Sequence, residues 1–223
     1  MLQPATLQFL KALKKNNHKE WFDLNRKRYE AAKADFEQFI STLIERHVHN
    51  DAGITGLQTK NCIFRINRDV RFSKNKAPYK TNFGASIAMG GKKSPFAGYY
   101  FHCEPGGASF VGGGLWQPEP DTIKNIRQEI DYNLEEFESI LRNKAFKSVY
   151  GQLYTGEDQS LKKIPRGYDK DNPAGPYLML KSWIAMRPVP DEMLQSPQLL
   201  KYTLKSFEAL QPLLQFLNRA IAE

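Results

Sequence analysis

Phe83-Gly-Ala-Ser-Ile-Ala-Met89, Gly98-Tyr-Tyr-Phe-His-Cys-Glu104 and Ser109-Phe-Val-Gly-Gly113 decide the fold class. Each run is short, mixes aromatic, aliphatic and small residues, and is bounded by breakers: Gly90-Gly91 after the first, Pro105-Gly106-Gly107 after the second. Links this short leave no room for parallel crossovers, so the three are read as an antiparallel meander. A fourth candidate strand, Cys62–Phe72, lies ahead of them across Ala77-Pro78.

Helical periodicity flanks this region on both sides. Thr6 is placed to cap a first helix with Leu7, Phe9, Leu10 and Leu13 facing inward. Asn17-His18-Lys19-Glu20 has the spacing of a capping box, and opens a longer helix whose inward stripe is Phe22, Tyr29, Phe36, Phe39, Ile40 and Leu43, ending before Asp51-Ala-Gly53. After Trp116 the rhythm returns in Ile123, Ile126, Ile130, Leu134, Phe137 and Leu141, with a second capping pattern at Asn133 to Glu136. A Gly-, Pro- and charge-rich loop is expected over 151–176, followed by helical stretches at Pro176–Met186 and Pro197–Ala222. Helices, then strands, then helices predict an α+β fold: an antiparallel sheet of about four or more strands, covered by N-terminal and C-terminal helices. One domain spans 1–223, helical over 1–50, sheet over 60–116 and helical over 118–223. No repeat or low-complexity tract interrupts it.

The 223 residues, 41% hydrophobic and 12% aromatic, are enough for a packed core. No apolar run approaches the roughly 20 residues of a membrane span. The N-terminus lacks the pattern of a signal peptide, and Cys62 and Cys103 sit in strand-like runs, so a cytoplasmic protein with buried free thiols is expected. Four scattered histidines and two cysteines give no metal-ligand spacing, and no cofactor motif is identified.

Charge is unevenly spread. Residues 60–80 hold seven bases (Lys60, Arg65, Arg68, Arg71, Lys74, Lys76, Lys80) and one acid, Asp69, so most of the chain's net charge of +8 sits in one segment. A focused positive charge on a near-neutral body implies an anionic partner. Guanidiniums suit bidentate binding of phosphate or carboxylate, and lysines act as mobile point charges. Arg65, Arg68, Arg71, Lys74 and Lys76 are the expected clamp, Tyr79 lines it, and Asp69 holds one arginine in place. In a regular Cys62–Phe72 strand, Arg68 falls on the apolar side with Phe64, Ile66, Val70 and Phe72, which requires a bulge, a buried carboxylate or a snorkelling side chain.

The same segment carries R-x-x-R-D-x-R-F-x-x-[DN]-K-x-x-Y, supplied by Arg65, Arg68, Asp69, Arg71, Phe72, Asn75, Lys76 and Tyr79. It resembles the signature of a bacterial and fungal family of uncharacterised proteins, domain of unknown function 2461. Pro78-Tyr-Lys-Thr81, Gly98-Tyr-Tyr100, Glu104-Pro-Gly-Gly107 and Gly112-Gly-Gly-Leu-Trp116 are similar to that family as well. The resemblance extends over nearly the whole chain and implies no activity or cofactor.

Secondary candidates are fewer. His102 and Glu104 share a strand face and are the candidate acid–base pair, against the plainer reading of a partly exposed histidine among tyrosines. Gly112-Gly113-Gly114, placed between a strand and a helix, is either an amide cradle for phosphate or a tight turn. Tyr99, Tyr100, Phe101, Phe110 and Trp116 are either stacking platforms or core. The functional expectation is binding of a phosphorylated or polyanionic small molecule through Arg65–Lys80, with or without enzymatic activity. The alternatives are a nucleic-acid-binding module, and a scaffold or interaction protein whose arginines form a structural ion-pair network. The pattern does not set an oligomeric state.

Overall fold

A computed structural model of the chain describes residues 1–156 and 159–222; Glu157 and Asp158, in the expected loop 151–176, and Glu223 at the end of the last helix lie outside the described residues. The architecture is α+β. Strands β1 (Phe83–Ile87), β2 (Gly98–Cys103), β3 (Phe110–Leu115) and β4 (Trp183–Pro188) form one antiparallel sheet in the order β1-β2-β3-β4. The helices are α1 (Pro4–Lys15), α2 (Lys19–Leu24), α3 (Arg26–His47), α4 (Pro120–Tyr132), α5 (Leu134–Arg142), α6 (Lys144–Tyr150), α7 (Gly175–Leu178), α8 (Asp191–Leu194) and α9 (Leu199–Ala222).

Alternation along the strands sorts residues between two faces. Tyr99, Phe101 and Cys103 of β2, with Phe83, Ala85 and Ile87 of β1, are buried. They meet α3 and α9: Phe36 and Phe39 lie 6.3 and 5.0 Å from the Phe101 ring, and Phe207 stacks on Tyr99 at 4.6 Å. Helices α4, α5 and α6 pack in turn on α9. Burying such rings contributes roughly 1.5–3 kcal/mol each, so this layer dominates stability.

Several expectations need correction. The longer N-terminal helix is two, because the Asn25 side chain donates to the Trp21 carbonyl (2.9 Å) and its backbone leaves the helical region. The His18 ring caps α2 by accepting from Trp21 N–H (3.4 Å), whereas Thr6 lies inside α1 and donates to Asp35. Pro176–Met186 is not a helix. One turn, α7, ends at Leu178, and residues from Trp183 pair with β3, where Ala185 and Trp183 are fully buried. A short, continuous apolar run has no periodicity to separate a buried strand from a buried helix. Gly112, Gly113 and Gly114 lie inside β3, not in a connection, so the cradle or turn expected there has no loop to occupy.

Cys62–Phe72 is not a regular strand either. Residues 62–68 run antiparallel beside β1 and the chain ahead of it, with Phe64 N–H donating to Gly84 O (3.0 Å) and Lys80 N–H to Ile66 O (2.8 Å). The bridges Ile63↔Ala85 and Asn67↔Tyr79 set four residue steps against six, so the surplus bends the ribbon at Thr81-Asn82. Pairing stops past Arg68, and Val70–Lys76 turns at the tip.

Candidate functional site

The second face of the sheet is open, and among the described residues α4 reaches only the rim of that face, through Thr122. Gly84 and Ser86 of β1, Tyr100 and His102 of β2, Phe110 and Gly112 of β3, and Ile184 and Met186 of β4 share it, paired across the strands. Small residues hollow the surface, and its margins rise on Phe64 and Lys80 at the β1 edge, on 92–96 after β1, and on Trp116–Glu119 with Tyr154. The result is a cavity of about 840 Å³. Three lysines (Lys80, Lys92, Lys93) and one acid (Glu119) line it, together with Phe64, Phe96, Tyr100, Phe110, Trp116 and Tyr154. That combination of aromatic walls and surplus positive charge suits an anion with an apolar or aromatic body.

Its floor is a hydrogen-bonded chain. His102 Nε2–H donates to Glu104 Oε2 (3.2 Å), while the Tyr100 hydroxyl and the Asn82 amide each donate to His102 Nδ1 at 3.4 Å. Glu104 also accepts from Thr81 Oγ1 (2.9 Å) and lies 3.6 Å from Lys14 Nζ. An ionised carboxylate only accepts, which assigns the proton to Nε2. The Phe110 ring stacks on the imidazole at 4.8 Å and 11°, fixing its plane. Gly84 makes room for Tyr100, since a Cβ there would sit 2.5 Å from the phenol oxygen.

Burial sets the protonation states. It pushes the His102 imidazole below the ordinary histidine range; Glu104 opposes this and Lys80 adds to it. His102 is therefore neutral at pH 7, and its contact with Glu104 is a hydrogen bond rather than an ion pair. Burial works to raise Glu104, but the bonds from His102 and Thr81 outweigh it and hold the carboxyl below its ordinary value. Burial raises the Tyr100 phenol to about 12. Lys80 is half-buried, its ammonium 5.2 Å from the Phe64 ring centre; burial first, and then the neighbouring Arg65, hold it below the ordinary lysine range.

The basic segment is distributed differently. Arg71 grips Asp69 through Nε and Nη2 at 3.0 and 2.7 Å on the surface. Arg68 donates to Ala77 O (2.9 Å) and Ser73 Oγ (3.3 Å), and Lys76 to the carbonyls of Val70 and Arg71. These three thus hold the turn itself together, and among the described residues no acid pairs with Arg68. Arg65 and Lys74 are exposed, and their side chains donate no hydrogen bond to another described residue. Tyr79 is buried against Phe22, ring centres 4.0 Å apart, with its backbone amide and carbonyl both bonded to Asn17. Of the expected site residues, His102 and Glu104 meet. Phe64, Lys92 and Lys93 join the cavity without having been singled out as ligand contacts, Lys80 comes from the expected basic segment, and Tyr100, Phe110 and Trp116 come from the aromatics read as stacking platforms or core. Glycine or serine at alternate positions 84, 86, 98, 112 and 114 was the available signal for them.

The chain is thus an α+β protein with one helix-covered and one open sheet face, the open one holding an aromatic-walled, cation-rimmed cavity. It belongs to the family described as conserved hypothetical protein (DUF2461), whose profile matches residues 5–216. No curated protein and no solved structure matches it.

Proposed function

We propose that the protein binds a small anionic molecule, phosphorylated or carboxylated and with an apolar or aromatic body, in the cavity on the open sheet face. The observation that carries this reading is the three-to-one excess of lysine over acid around a concave, aromatic-walled surface. The Arg65–Lys80 segment contributes through its ends: Lys80 lines the cavity with Phe64, the residue ahead of the segment, and Arg65 adds to the field at Lys80. Arg68, Arg71 and Lys76 serve the turn, as a structural network would. The cytoplasm is the compartment that suits it, since Cys62 and Cys103 are both buried, unpaired thiols, and burial holds Cys62 up at about 11.

Calorimetric titration with pyridoxine 5′-phosphate, AMP and pyrophosphate tests the reading. At least one should bind; Lys80→Met should weaken it and Arg71→Ala should not. The opposite pattern would move the site to the tip of the basic segment.

A second reading has one observation in its favour. Phe72 is 96% exposed at that tip, beside Arg71 and Lys74, as an aromatic that stacks a base of single-stranded nucleic acid would be. Fluorescence anisotropy of a labelled oligo(dT) at low salt decides it: affinity should fall steeply with added salt and vanish in Phe72→Ala.

A further inference from the structure

Of the cavity lysines, the side chains of Lys80 and Lys93 have no hydrogen bond or ion pair to a described residue, and of these two Lys93 is exposed while Lys80 is half-buried against a ring. Its ammonium has no carboxylate within ion-pair distance and makes no hydrogen bond among the described residues. Its backbone is fixed by the bond from its N–H to Ile66 O (2.8 Å), immediately before the bend at Thr81-Asn82. One flank of the side chain is the Phe64 ring, and both line the same cavity as His102 and Tyr100. Lys92 contrasts with it: its ammonium is spent on the Lys60 carbonyl (2.9 Å). A half-buried amine beside an aromatic ring and a guanidinium, with no counter-ion, is the environment that makes lysine nucleophilic.

Resting on the anion-binding reading above, we propose that Lys80 is an imine-forming residue, and that the ligand is an anionic aldehyde or ketone. The neutral Nζ adds to the carbonyl carbon, forming the C–N bond as the carbonyl oxygen takes up a proton. The carbinolamine then loses its hydroxyl as water, and the two hydrogens lost from nitrogen leave in that water. No oxidant or reductant is needed. His102 serves the two proton movements: it is neutral, its Nε2–H is held by Glu104, and its Nδ1 is the basic nitrogen, linked to the Tyr100 hydroxyl. Burial lowers both groups, the direction that favours a free amine and a free imidazole.

Pyridoxal 5′-phosphate, an aromatic phosphorylated aldehyde, is the probe for the amine. Pyridoxine 5′-phosphate, the matching alcohol, reads binding alone because it forms no imine. The full-length protein is treated with substoichiometric aldehyde at pH 7, reduced with borohydride and peptide-mapped. The expected result is labelling at Lys80 ahead of every other lysine, suppressed by excess pyridoxine 5′-phosphate. Lys80→Met, checked for an unchanged melting temperature, should lower total labelling at least about tenfold, whereas Lys74→Met, outside the cavity, retains it. His102→Asn should lower the rate of imine formation by a larger factor than it lowers affinity for the alcohol; equal losses would mean that His102 only shapes the cavity. If the alcohol binds and the aldehyde labels exposed lysines such as Lys74 as fast as Lys80, the imine proposal is overturned and the binding reading stands. If the alcohol does not bind and labelling is scattered, both fall.

Discussion

The two faces of the sheet are built from the same strands and do different work. The helix-covered face is buried along the strands, and its large rings are locked between elements: Phe83, Tyr99 and Phe101 touch α3 or α9. On the open face, one residue along, stand Gly84, Ser86, Tyr100 and His102, which leave a hollow and fill its floor with hydrogen bonds. The two histidines repeat the contrast. His47 is buried on the covered side against Tyr99 and Phe207, with neither ring nitrogen bonded to a described residue. His102 has both nitrogens engaged. A period of two thus lets one strand supply a packed face and an open, hydrogen-bonded one without the two competing for positions.

Substitutions at adjacent residues of β2 should break that symmetry most visibly. Phe101→Ala should cost about 3–5 kcal/mol, as truncation of a buried ring does. Tyr100→Phe, which keeps the ring, should stay within roughly 1 kcal/mol. Urea denaturation of both variants checks this; equal losses would mean that the open face is core too. Lys80→Met should weaken pyridoxine 5′-phosphate binding about tenfold, the scale of one charge-assisted contact, while leaving the unfolding midpoint alone. Calorimetry beside a thermal melt separates the two effects.

The histidines make a pH prediction with a definite sign. Burial depresses His47, with only Asp51 opposing, so the folded protein resists protonating it while the unfolded chain takes up a proton near the ordinary value of 6.5. Its contribution is present above that value and is lost as pH falls through it, at no more than about 1.4 kcal/mol per pH unit for one group. His102 acts in the same direction. Denaturation midpoints at pH 7.5 and 5.5 should therefore differ, and His47→Leu should narrow the gap more than His102→Asn. The smallest effect expected is that of Arg71→Ala, whose exposed pair with Asp69 should leave the midpoint unchanged within error.

The meander was legible because β2 and the Pro105-Gly106-Gly107 connection announce themselves locally, and the C-terminal helix because its leucines recur at helical spacing over about five turns. β4 was not, because Trp183-Ile-Ala-Met186 becomes a strand only by pairing with β3, a contact made across some 68 residues. The charge of the basic segment was legible as composition but not as geometry. Two extra residues before β1 bend the ribbon, so that Arg68 and Lys76 turn back on the loop while Lys80 reaches the cavity. His102 and Glu104 could be paired in advance because i and i+2 share a strand face. Tyr100 belongs to the same set, yet among neighbouring aromatics nothing local tells a floor residue from a core one.

Chemical-shift mapping of backbone amides during titration with pyridoxine 5′-phosphate tests the open face as the binding site most directly. The predicted result is perturbation of residues 84–86, 98–104 and 110–117, together with Lys80. Shifts confined to residues 69–76, or to the helices on the covered side, would contradict it.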